Sequence, residues 1–151
     1  MSPAEETHRF EVRVVWKGDA GGDGTVAAGA GKVSIPIAGA ASLGGAGLGT
    51  NPEELLLSAI GACFVNTWAI FLKKLGVAYA EPALRVSGEL GNDPAGGFRM
   101  EKTIIHAAVP GALLSANRAA VEKTLQLAEK YCIVSKVARA AMPVVVEVEA
   151  V

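Results

Sequence analysis

Polar and apolar residues alternate near the start of the chain. Phe10, Val12, Val14 and Trp16 share one face, and Arg9, Glu11 and Arg13 share the other. This period of two predicts a half-buried strand over residues 7–16. Residues 17–24 are rich in Gly and Asp and form a turn. Two short strands follow, over 25–28 and 32–37. Residues 18–49 hold 11 of the 18 glycines, so this region reads as loops joined by short strands. Residues 38–49 are too small and flexible to build a core of their own. Such a loop either lets backbone approach a ligand or is simply mobile.

The pattern then changes to a helix. Asn51 is an N-cap residue, Pro52 suits the first helical position, and Glu54 has capping-box spacing. Glu53 and Glu54 face the positive end of the dipole, Lys73 and Lys74 fall in the last turn, and Gly76 is a stop. The helix predicted over 51–75 is roughly 36 Å long. Residues 55–72 carry no charge, a length at the threshold for a membrane span. Ser58, Gly61, Asn66 and Thr67 interrupt that stretch, and its caps are those of a soluble helix. A helix buried on all sides is the preferred reading, with a membrane anchor as its rival.

Alternation returns over 82–90, with Leu84, Val86 and Leu90 against Arg85, Ser87 and Glu89. A turn cluster at 91–97 joins it to a strand over 98–109, which makes a hairpin. Pro110 and Gly111 break the pattern. A second helix begins at Ser115 or Ala116 and runs to Tyr131, with Val121, Leu125, Ala128 and Cys132 at helical spacing. A short helical piece covers 135–141, Pro143 ends it, and 144–151 alternates as a last strand with Glu147 and Glu149 outward. No repeat or linker divides the chain, so 1–151 is expected to be a single domain. Three strands, a long helix, a hairpin, a helix and a strand predict an α+β fold with antiparallel sheets and a long central buried helix.

Composition narrows the possibilities. In 151 residues, 51% are hydrophobic and 19% charged, with a net charge of −1. That balance excludes an electrostatic nucleic-acid binder and a disordered chain. The first eleven residues have Glu5, Glu6 and Glu11 and no apolar run, so a secretory leader is not expected and the cytoplasm is. The two cysteines, Cys63 and Cys132, are 69 residues apart, unlike a local zinc or C-x-x-C motif. Each reads equally as a small buried hydrophobe. If they meet in space they form a redox-active dithiol rather than a structural bridge. Small residues around Cys63 leave room beside it, and Cys132 at a helix end is expected to be the more easily exposed.

A reactive thiol needs positive charge or strong hydrogen bonds nearby. Lys73 and Lys74 are about 15 Å along the helix from Cys63, so an activator must come from another segment. Arg9, Arg13, Arg85, Arg99, Arg118, Arg139 and the lysines are candidates by type. His8 and His106 have no ligand spacing, so no metal and no cofactor are expected. Phosphate-loop context and a Gly-x-Ser-x-Gly elbow are both lacking.

The run Gly49-Thr50-Asn51-Pro52-Glu53-Glu54-Leu55-Leu56 followed by Ala62-Cys63-Phe64 resembles the GTNPEEL…ACF signature of the OsmC/Ohr family, the osmotically inducible and organic hydroperoxide resistance proteins. Cys132-Ile133-Val134-Ser135 looks like that family's C-P-[VY]-S segment. Trp16-x-Gly18-Asp19 and Gly24-Thr25-Val26 are similar to the OsmC branch. The resemblance covers nearly the whole chain.

The resemblance implies a cysteine-based peroxidase for organic or hydrogen peroxides, active in oxidative-stress defence. Cys63 would then attack the O–O bond and become a sulfenic acid, and Cys132 would resolve it as a disulfide. An external dithiol would reduce the pair; in the Ohr branch this is a lipoyl group. Glu53 matches the acidic residue that holds an activating arginine. That arginine comes from the segment before the TNPEEL motif, yet residues 17–50 contain none, only Lys17 and Lys32. Position 133 is Ile where the family has Pro. A relative with weak or no peroxidase activity, acting as a binding or redox-responsive protein, is therefore the alternative.

Glu53 and Cys63 are ten residues apart on one helix, about 15 Å along its axis. Two helix copies crossing antiparallel near Ser58 would bring Glu53 of one chain to Cys63 of the other. Ser58, Ala59, Gly61 and Ala62 permit that approach. The expectation is a homodimer with sites at the interface, and the resemblance implies an intertwined dimer as well.

Overall fold

The computed structural model describes residues 7–151. The expectation of no leader rests partly on residues 1–6, which lie outside them. The elements run β1 (Arg13–Lys17), β2 (Asp23–Ala28), β3 (Val33–Ala38), a 3-10 turn (Ala41–Leu43), α1 (Pro52–Lys74), β4 (Ala83–Asn92), β5 (Phe98–Val109), α2 (Gly111–Tyr131), α3 (Ile133–Arg139) and β6 (Val144–Ala150). This is the α+β class expected. The chain divides into two compact units, residues 1–55 and 56–151.

In the first unit β1, β2 and β3 form an antiparallel meander. The first strand is shorter than its alternation predicts. β2 ends at Ala28, one residue beyond the partner of Arg13, so residues 7–12 have no strand to pair with. All of β1 is exposed rather than half-buried, and Phe10 is 93% exposed. After β3 the backbone N–H of Ala38 donates to the Thr50 carbonyl and that of Thr50 to the Pro36 carbonyl. Gly49 sits inside this clasp at φ +72, where a Cβ would lie 2.3 Å from the Pro36 oxygen. Only glycine fits there, which accounts for the residue that opens the GTNPEE run.

The start of α1 follows its sequence signals. Asn51 Oδ1 accepts from the Glu54 N–H at 2.8 Å. The reciprocal half of the capping box is replaced, because Glu54 Oε2 accepts from the Thr50 hydroxyl at 2.7 Å. At the far end Gly76 is left-handed (φ 64), and the Gly76 and Val77 N–H groups donate to the Lys73 and Leu72 carbonyls.

In the second unit Ile60, Phe64, Trp68 and Leu72 form one buried stripe along α1. They pack with Ile105, Ala107 and Val109 of β5 and Val121, Leu125 and Ala128 of α2. Trp68 Nε1 donates to Thr124 Oγ1 at 2.9 Å, which satisfies both buried groups. The helix is buried on this face alone, and Leu56 and Ile70 remain exposed. By length and apolar content α1 could cross a membrane, yet its stripe serves a protein core.

The second sheet has the order β4-β5-β6. β4 and β5 pair antiparallel, but β6 lies parallel to β5, a departure from an all-antiparallel arrangement. The reason is the connection. Residues 110–143, with α2 and α3, cross back over the sheet and return the chain to the same end. α2 starts earlier than expected, directly after Pro110, and is interrupted at Asn117 (φ −156, ψ 50) near the predicted start. α3 begins two residues before its predicted position.

Candidate active site

Cys63 lies on α1 one residue before Phe64 of the buried stripe and is partly exposed. Cys132 sits between α2 and α3 and is 0% exposed. This reverses the expectation that Cys132 would be the accessible thiol. The helix end does not open Cys132 to solvent, because its extended backbone (φ −63, ψ 115) turns the sulfur under the first turn of α3. There Cys132 Sγ accepts from the Ser135 hydroxyl at 3.1 Å and from the Ser135 N–H at 3.5 Å. Ser135 is itself fully buried.

The two sulfurs lie close enough to shift each other's ionisation. Burial pushes the Cys63 thiol up. The backbone N–H of Val134, the Cys132 thiol, the N–H of Ile133 and the Thr67 side chain more than offset this, and its pKa lies below the ordinary thiol value. The first two N–H groups of α3 have no acceptor within their helix, so they are free to donate to a sulfur. Thr67, one turn after Cys63, also donates to the Cys63 carbonyl at 2.8 Å. Cys132 moves the other way. Burial raises it, the Ser135 hydroxyl and N–H pull it down, and the adjacent Cys63 with its charge raises it further. The pair thus separates into a half-exposed, acidic thiol and a buried thiol that holds its proton.

Another segment does bear on Cys63, through the backbone at the start of α3. The four arginines of residues 56–151 each pair with a carboxylate: Arg85 with Glu149, Arg99 with Glu101, Arg118 with Glu122 and Arg139 with Glu129. Arg139 also donates to the Glu129 carbonyl and ties α3 to the last turns of α2. Glu53 stands in the first turn of α1. Its Oε2 is buried, and among the described residues no hydrogen-bond partner reaches it. The helix keeps it apart from Cys63 within one chain. His106 lies on β5, with Ser87 Oγ at 3.2 Å from Nε2 and Glu147 Oε2 at 3.5 Å from Nδ1. Among the described residues no group of three metal-binding side chains occurs.

The sequence reading did not find Thr67, or the Ile133 and Val134 amides, as partners of Cys63. Every residue but proline carries an N–H, so no residue type marks the ones that matter.

A family profile described as OsmC-like protein matches residues 44–147. The chain is 33% identical over 105 residues to organic hydroperoxide resistance protein-like 1 of Staphylococcus epidermidis, covering 70% of this chain and 73% of that one. It is 30% identical over 134 residues to the uncharacterised protein YmaD of Bacillus subtilis, covering 85% of each. Among solved structures, an organic hydroperoxide resistance protein OsmC from Legionella pneumophila superposes with a TM-score of 0.76 at 22% identity, covering 95% of this chain and 99% of that one.

Proposed function

Because this chain belongs to the OsmC-like protein family, we propose that it is a cysteine-based peroxidase that reduces organic or hydrogen peroxides in defence against oxidative stress. The observation that carries this reading is the asymmetric pair: an acidic, partly exposed Cys63 beside a buried Cys132. The Cys63 thiolate attacks the distal peroxide oxygen and the O–O bond breaks. The alcohol or water leaves, and Cys63 becomes a sulfenic acid. Cys132 then attacks that sulfur and displaces water, and the Cys63–Cys132 disulfide forms. An external dithiol, of the lipoyl type in the closest chemical analogy, restores both thiols in the cytoplasm. Glu53 acts across a homodimer, in which an antiparallel crossing of two α1 helices near Ser58 carries it to the partner's thiol. Its unpartnered Oε2 supports that role.

The test mixes reduced protein with cumene hydroperoxide and follows free thiols by mass spectrometry. The expected result is rapid loss of two hydrogens with Cys63 linked to Cys132. Cys63→Ser abolishes the reaction, and Cys132→Ser leaves a trapped sulfenic acid. No reaction over minutes at tenfold excess refutes the peroxidase. It favours the second reading, a redox-responsive relative with weak or no peroxidase activity. That reading draws on the lack of arginine in residues 17–50 and on four arginines already committed to carboxylates.

A further inference from the structure

Ser135 spends both of its donors on one sulfur. Its hydroxyl and its N–H converge on Cys132 Sγ at 3.1 and 3.5 Å, and both residues are fully buried. A buried hydroxyl directed at a neutral thiol gains little, because sulfur is a weak acceptor. The same two donors gain far more when that sulfur carries charge. The question is when it does.

Burial answers it. A disulfide between the two cysteines has one reachable sulfur, Cys63, since Cys132 is closed to solvent. An external thiolate must therefore bond to Cys63 Sγ. The Cys63–Cys132 bond breaks, and its electron pair stays on Cys132. The leaving thiolate is born in a buried place that disfavours charge. Leaving-group stability sets the rate of such an exchange.

We propose that Ser135 is the positioning residue of the recycling half-reaction, placed to receive the charge on Cys132 as it leaves the disulfide. This deepens the proposed function and rests on its Cys63–Cys132 disulfide. The second thiol of the reductant gives up its proton, and the Cys132 thiolate takes one up as the site relaxes. The reductant's second sulfur then attacks the mixed disulfide on Cys63 and departs in a cyclic disulfide, and Cys63 is released as a thiolate. One dithiol is oxidised and one disulfide is reduced. The Ile133 and Val134 amides lower Cys63, whereas the hydrogen bonds from Ser135 go to Cys132.

The test bypasses peroxide. Wild type, Ser135→Ala and Ser135→Thr are oxidised with diamide, and the second-order rate of reduction by dithiothreitol is followed by mass spectrometry. Ser135→Ala is expected to slow reduction roughly tenfold, while Ser135→Thr, which keeps the hydroxyl, recovers most of the rate. The rate at which reduced Ser135→Ala loses its Cys63 thiol to iodoacetamide is expected to stay within about twofold of wild type. Wild-type reduction rates in Ser135→Ala overturn the proposal. So does an equal slowing of both reactions, which marks a structural defect. A chain that forms the disulfide with diamide but ignores cumene hydroperoxide removes the peroxidase and leaves Ser135 standing. A chain that forms no disulfide at all removes both.

Discussion

Two sulfurs with the same intrinsic chemistry are driven apart by what donates to them. Cys63 receives the N–H groups of Val134 and Ile133, and Cys132 is shut in with Ser135. As pH rises, Cys63 ionises first, so its alkylation rate levels off at a lower pH than that of an ordinary thiol. The Ile133 contribution can be removed as a single atom. Ile133→Pro deletes the N–H, proline is tolerated at a first helical position, and the extended backbone of Cys132 suits the residue before a proline. The Ile133 side chain is 72% exposed, so its loss costs little packing. The midpoint of Cys63 alkylation against pH is expected to rise in Ile133→Pro. It should stay in place in Ile133→Ala. An unchanged midpoint in the proline variant would show that this amide does not serve the thiolate. At this scale the sequence was legible only for the cysteines themselves. Their partners are two amides and a hydroxyl brought in by the fold, and nothing in the residue types at 133 and 134 announces them.

At the scale of elements, signals confined to a few neighbouring residues were the readable ones. Asn51, Pro52 and Gly76 place the ends of α1 to within a residue, because caps act within one turn. Asn51→Ala removes the oxygen that satisfies the Glu54 N–H, and is expected to cost about 1 kcal/mol. A drop in the urea midpoint, largely absent in Asn51→Asp, is the measurement; equal midpoints for all three chains would show the cap to be idle. The parallel placement of β6 was not readable. Its alternation of Val144, Val146 and Val148 with Glu147 and Glu149 fits either direction. Direction is decided by the path of residues 110–143, which no short window contains. The late start of β1 has a similar origin, since the length of β2 limits what β1 can pair with.

At the scale of the whole molecule, the apolar excess of the composition is only partly absorbed by one chain. α1 buries one stripe, and Val14, Trp16, Leu56 and Ile70 stay exposed. Lone surface hydrophobes are ordinary, but several along one strand and several along one long helix mark surfaces that expect company. The homodimer proposed above would cover them. Sedimentation equilibrium at micromolar concentration is expected to give twice the chain mass of 15.4 kDa. A folded 15.4 kDa species under those conditions excludes the shared site and the role given to Glu53. The crossover from β5 to β6 carries one more consequence, which concerns timing in the life of the chain. The donors to Cys63 lie in the last third of the sequence, and they reach it only once residues 110–143 have folded back. During synthesis Cys63 emerges long before those donors exist. Until they dock it is an ordinary thiol, mostly protonated and slow with oxidants. In the proposed peroxidase the fold thus arms the nucleophile late, and a nascent chain is spared the oxidation which that reading assigns to the finished one.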